Sequence, residues 1–210
     1  MQIPVFAHIA AASALLPLGA GLRYWKASRF PMKLFAAFSG FSVLHLLVEF
    51  VLGRMGKSNM WLVDFHQIVE LFCILYVYHA WTTNRRLKDI FQYSAMFYSL
   101  TWIINKFYFE DPQHFSEINL SIAMLMLIIA SVIILNSLVR ITQHSVIRHS
   151  VFWIASGVLL YSAGTIIVIA LSNQVLAMGI EYFNIMWHIN WGFTIFANIL
   201  YARSFACKIF

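Results

Sequence analysis

Hydrophobic residues fill seven long stretches of this chain, and most charged residues lie between those stretches. Each stretch is close to the roughly 20 residues that an α-helix needs to cross a bilayer. The pattern predicts helices over about residues 3–23, 34–53, 60–82, 90–108, 118–139, 151–172 and 181–202. We therefore expect an all-α, polytopic membrane protein that forms one seven-helix transmembrane domain over residues 1–210.

Polar residues interrupt the second and third stretches with the same spacing. His45 and Glu49 are four residues apart, and so are His66 and Glu70. Four residues is about one helical turn, so each pair lies on one face of its helix. An ionisable side chain within a membrane is costly, which makes both pairs candidates for function.

The seventh stretch is the most polar and aromatic of the seven. Its polar and aromatic residues recur at spacings of four, three and seven, namely Asn184, His188, Trp191 and Asn198. Counting along each helix from its outer end places His45, Glu49, His66, Glu70 and His188 in the outer half of the bundle. We expect these five residues to line one ligand-binding pocket together with Asn184, Trp191 and Asn198.

The composition supports a membrane protein and excludes other classes. Hydrophobic residues make up 61% of the chain and charged residues 10%, whereas soluble domains carry about 25% charged residues. The mean hydropathy is +0.77. The net charge of +6 comes from scattered residues with no single basic patch, so we do not expect a nucleic-acid partner.

The basic residues predict the orientation in the membrane. With the N-terminus outside, all but three of the 14 basic residues lie on the inner side, the exceptions being Arg54, Lys57 and Lys106. The positive-inside rule therefore predicts an outer N-terminus and a cytoplasmic C-terminus.

The stretch over 118–139 is almost uniformly apolar, and we expect it to be the most lipid-exposed helix or a contact in a homo-oligomer.

Three interpretations of the polar residues remain open, and whether the protein is an enzyme is among the open points. In the first, the pocket binds a small ligand or a proton, and the protein is a sensor that passes its state to a cytoplasmic signalling partner. In the second, zinc or iron is bound by His45, His66, Glu70 and His188, in a metal-dependent hydrolase that acts on a membrane lipid. In the third, the polar network only holds the helices together.

Several other functions are disfavoured by single residues. A retinal protein needs a lysine within the last helix, and Lys208 lies beyond its end. Transporters with broken helices need glycine or proline interruptions in matching halves, but helices two to seven contain no internal proline break. Haem ligation by two of the histidines stays a candidate without an attachment motif.

Two families resemble this chain. The segments FWIASGVLLYSAG and MWHINWGFTIFANILYA, together with Glu70 in an apolar third helix, resemble uncharacterised bacterial seven-helix membrane proteins. This resemblance implies the fold and a multi-pass location in the cell membrane, as in a bacterial inner membrane. The helix count and membrane histidines are also similar to hydrolases of the ceramidase and progestin-receptor type, although the seventh helix has His188 alone where a spaced pair is expected.

Overall fold

The computed structural model describes residues 5–56, 60–108, 117–141 and 145–207, and nearly all of them are helical. The all-α class is therefore confirmed. The α-helices are α1 Val5–Ser13, α2 Leu15–Arg23, α3 Phe30–Arg54, α4 Met60–Trp81, α5 Arg85–Tyr108, α6 Glu117–Ile141, α7 Ser150–Ala170, α8 Ser172–Met178 and α9 Ile180–Phe205.

Five helical segments are long and apolar enough to cross a membrane. They are Val5–Arg23, Phe30–Arg54, Trp61–Trp81, Ile118–Ile141 and Ser150–Ala170. By their length and composition, these five segments support a membrane protein. The other two long helices, α5 and α9, are less hydrophobic, because α5 carries charged residues near its two ends and asparagine recurs along α9.

The first apolar segment is one span that is divided into two helices. α1 ends at Ser13 and α2 begins at Leu15, with Ala14 between them. Pro17 has no backbone N–H to donate to the carbonyl of residue 13, so the regular helical hydrogen bonding stops there. Ser13 lies at this break with its hydroxyl donating to the Ala10 carbonyl oxygen at 2.6 Å.

Five long helices and the α1–α2 segment form a closed ring. Around the ring, α3 packs on α4, α4 on α6, α6 on α7, α7 on α9, and the α1–α2 span closes the circuit by contacting both α9 and α3. α5 lies outside the ring against α4 and α6. The chain therefore encloses an interior lined by helices that are far apart in sequence.

The expectation that the helix over 118–139 is the most lipid-exposed is wrong. In α6, 44% of the residues in the most apolar 18-residue window are buried, whereas in α3 only 22% of the corresponding window is buried. Small and apolar side chains such as Ala123, Leu127 and Ala130 face its neighbours. Hydropathy did not reveal this because lipid and the surface of another helix are equally apolar. The peripheral helix is α5.

Glycines allow α7 and α9 to approach each other closely. A Cβ on Gly157 would lie 2.5 Å from the Tyr201 ring, and the Phe193 ring covers the corresponding position on Gly164. These two glycines lie seven residues apart, on one face of α7. Directly after Gly164, Thr165 donates a hydrogen bond of 2.7 Å to the Asn190 side-chain oxygen. Close packing and this bond hold the two helices together.

Candidate ligand-binding site

The two histidines predicted on the second and third spans are in contact across α3 and α4. The ring centroids of His45 and His66 are 4.4 Å apart. His66 also stacks on Phe41, with centroids 5.7 Å apart and ring planes 7° from parallel. His45 is 8% exposed, so this contact lies in the interior of the ring of helices.

Hydrogen bonds determine the protonated nitrogen of His45. Its Nε2 lies 3.1 Å from the carbonyl oxygen of Leu62, which can only accept, so Nε2 carries the hydrogen. The opposite nitrogen, Nδ1, faces the Glu49 carboxylate at 3.8 Å. That distance is too long for a hydrogen bond but allows an ion pair when His45 is doubly protonated. His66 is held by its Nε2, which lies 3.0 Å from the Ser42 hydroxyl.

A cavity of about 290 Å³ occupies the interior of the ring. Helices α1, α2, α3, α4, α6, α7 and α9 all contribute side chains to its wall. Six of the eight residues predicted for the pocket line it, namely His45, Glu49, His66, Glu70, Trp191 and Asn198. The structure thus brings these six together around one space.

Asn184 and His188 do not line the cavity. His188 is exposed, and its ring stacks on Phe6 of α1 with centroids 6.0 Å apart. Its Nδ1 hydrogen-bonds to the Asn184 carbonyl oxygen one turn earlier. Consecutive residues in an α-helix are rotated by about 100°, so His188 points well away from its neighbour Trp187, which does line the cavity.

The four candidate metal ligands are not gathered into one set. His188 lies outside the cavity that the other three, His45, His66 and Glu70, line. In the described part of the chain, no three His, Cys, Asp or Glu side chains are close enough together to hold a metal ion. The geometry therefore gives no support to the zinc or iron site.

Three buried polar groups in the cavity wall have no hydrogen-bond partner among the described residues. They are Gln67 Nε2, Glu70 Oε2 and the Tyr201 hydroxyl. The three residues are only 4%, 5% and 9% exposed, respectively. A buried polar group without a partner costs about 1–3 kcal/mol. Gln67 Nε2 can donate to the Glu70 carboxylate one turn later, so whatever fills the cavity should provide partners for Glu70 Oε2 and the Tyr201 hydroxyl.

Two of these three residues were not predicted as site residues. Tyr201 lies near the end of the last helix, where it is buried and lines the cavity. Gln67 follows His66 directly and was not singled out. A usable pattern was present, because Asn190, Thr194, Asn198 and Tyr201 follow at spacings of four, four and three, which define the cavity-facing side of α9.

Two asparagines of the cavity wall are bound to neighbouring helices. Asn198 donates a hydrogen bond of 2.8 Å to the Ser13 hydroxyl at the α1–α2 break, and Asn190 accepts the bond from Thr165. These bonds join α9 to the first apolar segment and to α7, whereas Glu70 and Tyr201 keep unused hydrogen-bonding capacity in the cavity wall.

Comparisons with protein-family models, with curated proteins and with solved structures found no significant match to this chain. The geometry of the chain itself is therefore the basis for assigning a function.

Proposed function

We propose that this protein is a seven-helix sensor of the cell membrane whose interior cavity binds a small ligand or exchanges a proton, and which transmits its state to a cytoplasmic partner. The observation that carries the proposal is the cavity within the closed ring, where Glu70 and Tyr201 have unused hydrogen-bonding groups. Binding sites typically combine an apolar wall with a few convergent polar groups, as this cavity does.

The lengths and contacts of α5 and α9 support a seven-span arrangement. With a rise of 1.5 Å per residue, the 24 residues of α5 and the 26 of α9 extend about 36 and 39 Å, enough for a hydrocarbon layer of about 30 Å. α9 packs along α7 and the first apolar segment, and its polar residues Asn190, Asn198 and Ser204 are buried against them. Its low hydropathy is therefore compatible with a membrane span.

A conformational change caused by ligand binding can be transmitted to the inner surface through α3 and α4. The bonds from His45 to Leu62 and from His66 to Ser42 join these two helices next to the cavity. In the proposed orientation, the start of α3 and the end of α4 border basic inner segments. A ligand that alters either bond would shift one helix against the other and change those segments.

The proposed orientation can be tested with the natural cysteines. Cys207 lies just past the end of α9 and is partly exposed, whereas Cys73 is buried. We expect a membrane-impermeant maleimide to label Cys207 in inside-out vesicles and not in intact cells. A Cys207→Ser protein should stay unlabelled in both preparations.

A matched reporter marks the opposite surface. Gly53, near the end of α3, is exposed, and a Cβ there would meet no atom within 4 Å. Gly53→Cys in the Cys207→Ser background should be labelled in intact cells. Labelling of Cys207 from outside, or of this reporter only from inside, would contradict the proposed topology.

Sensing can be tested with a fluorescent reporter on the inner segment. Thr83 lies in the short exposed connection between α4 and α5. Thr83→Cys in the Cys207→Ser background would carry a pH-insensitive fluorophore in nanodiscs. We expect its emission to change reversibly as the pH is cycled between 8 and 5.5, because protons can exchange at cavity groups.

The titratable groups that line the cavity are His45 and Glu49 on α3, His66 and Glu70 on α4, Tyr161 on α7 and Tyr201 on α9. Replacing Glu49 and Glu70 together by Gln should abolish the response, whereas Asp89→Asn on the exposed surface of α5 should leave it intact. An emission that ignores both pH and the two glutamates would argue for a purely structural network.

A further inference from the structure

We propose that the ligand of this cavity is a small organic ammonium compound that also carries a hydroxyl or carbonyl oxygen. This inference rests on the proposed ligand-binding function and specifies the chemical class of the ligand. Its support comes from the charges, the aromatic rings and the unpaired polar groups of the cavity wall.

The cavity wall carries acidic side chains and no strongly basic ones. Glu49 and Glu70 line it, and among the described residues no lysine or arginine does. The two histidines beside them are held by the Leu62 carbonyl and the Ser42 hydroxyl. An anionic ligand would therefore meet two carboxyl groups without a fixed positive charge, whereas an ammonium group would meet groups that can neutralise it.

Aromatic rings form much of the remaining wall. The rings that line the cavity are Phe35, Phe38, Tyr161, Trp187, Trp191 and Tyr201. Faces of tryptophan and tyrosine rings attract organic cations, and cages of such rings are a known means of binding ammonium groups. The combination of acids and rings suits a cation that carries apolar substituents better than a hydrated metal ion.

The unpaired polar groups specify the ligand further. Glu70 Oε2 can accept a hydrogen bond from an ammonium N–H. Gln67 Nε2 can donate to the Glu70 carboxylate one turn later on the same helix, so it requires no partner from the ligand. The Tyr201 hydroxyl can donate to an oxygen acceptor on the ligand. A molecule with both an ammonium group and an oxygen acceptor would therefore satisfy Glu70 and Tyr201 at once.

Three probes with one carbon skeleton separate charge from shape. They are 2-amino-1-phenylethanol as the cation, 1-phenyl-1,2-ethanediol as the neutral analogue and mandelate as the anion. Binding of each to the full-length protein in nanodiscs would be measured by isothermal titration calorimetry, with tryptophan fluorescence as a second readout for the two cavity tryptophans.

We expect the cation to bind at least tenfold more tightly than the diol and mandelate not to bind. Glu70→Gln should weaken binding of the cation at least tenfold and binding of the diol much less, because glutamine keeps an acceptor oxygen and loses only the negative charge. Asp89→Asn removes one exposed carboxylate from α5 and should change neither affinity.

Two results would overturn the ammonium class. One is binding of the diol or mandelate as tight as that of the cation, and the other is no binding of the cation to the wild-type protein. Neither result would affect the response of the Thr83→Cys reporter to pH, which tests the sensor function by itself. Failure of the ligand class and failure of the proposed function are therefore distinguishable.

Discussion

Replacing Tyr201 by phenylalanine tests whether the cavity wall contains an unsatisfied hydroxyl. The Tyr201 hydroxyl is buried and has no hydrogen-bond partner among the described residues. Phenylalanine keeps the ring, which contacts Phe35 with centroids 5.2 Å apart and covers Gly157. Since only an unpaired polar atom is removed, the free energy of unfolding without added ligand should stay the same or rise by as much as about 1–3 kcal/mol.

The chain supplies a matched control for this substitution. Tyr78 is also fully buried, but its hydroxyl is 2.8 Å from the Ser131 hydroxyl on α6. Tyr78→Phe therefore breaks a hydrogen bond between helices and leaves the Ser131 oxygen unpaired, which should lower the free energy of unfolding by about 1–3 kcal/mol. The same chemical change is thus expected to have opposite or clearly different effects at the two positions.

Unfolding of both variants and the wild type would be followed in mixed micelles of increasing denaturing detergent, with helical circular dichroism as the readout. Destabilisation by Tyr201→Phe as large as that by Tyr78→Phe would contradict this prediction. It would mean that the Tyr201 hydroxyl already has a hydrogen-bond partner and does not need one from a ligand.

Other predictions concern the helix contacts and the C-terminal thiol. Gly164→Ala should destabilise the protein by about 1–3 kcal/mol through overpacking, while Gly192→Ala, which meets no atom within 4 Å, should not; the same detergent unfolding assay compares them. Asp64→Asn weakens the 3.0 Å ion pair with Lys106 and should cost about 1.5–3 kcal/mol, seen as faster hydrogen exchange in α5. Burial raises the pKa of the Cys207 thiol. A free cysteine peptide forms its thiolate at lower pH, so the maleimide labelling rate of Cys207 should still rise at pH values where the rate of the peptide has levelled off.

The helices and part of the site could be predicted from the sequence, because both depend on residues close together in the chain. Hydropathy over about 20 residues identifies a span, and a four-residue spacing places His45 with Glu49, and His66 with Glu70, on one helical face. Consecutive helices joined by a short connection usually pack together. The contact between His45 and His66 depends on that same local arrangement.

The rotation of α9 could not be predicted in the same way. The spacing of Asn184, His188, Trp191 and Asn198 suggested one polar face, but only the last two line the cavity. Several polar stripes on this helix were compatible with the sequence. The choice among them depends on Gly157 and Gly164 of α7, which admit the Tyr201 and Phe193 rings and so determine how α9 is turned.

The sequence by itself determined that this chain is helical, that it belongs in a membrane and that two histidine–glutamate pairs lie on helical faces. The tertiary structure decided that α6 belongs to the ring, that α5 lies outside it and that Gln67 and Tyr201 share the cavity with Glu70. The physical reason is that a helix surface meets lipid or protein at similar free energy. Neighbours and rotations therefore follow from the shapes of side chains far apart in the sequence.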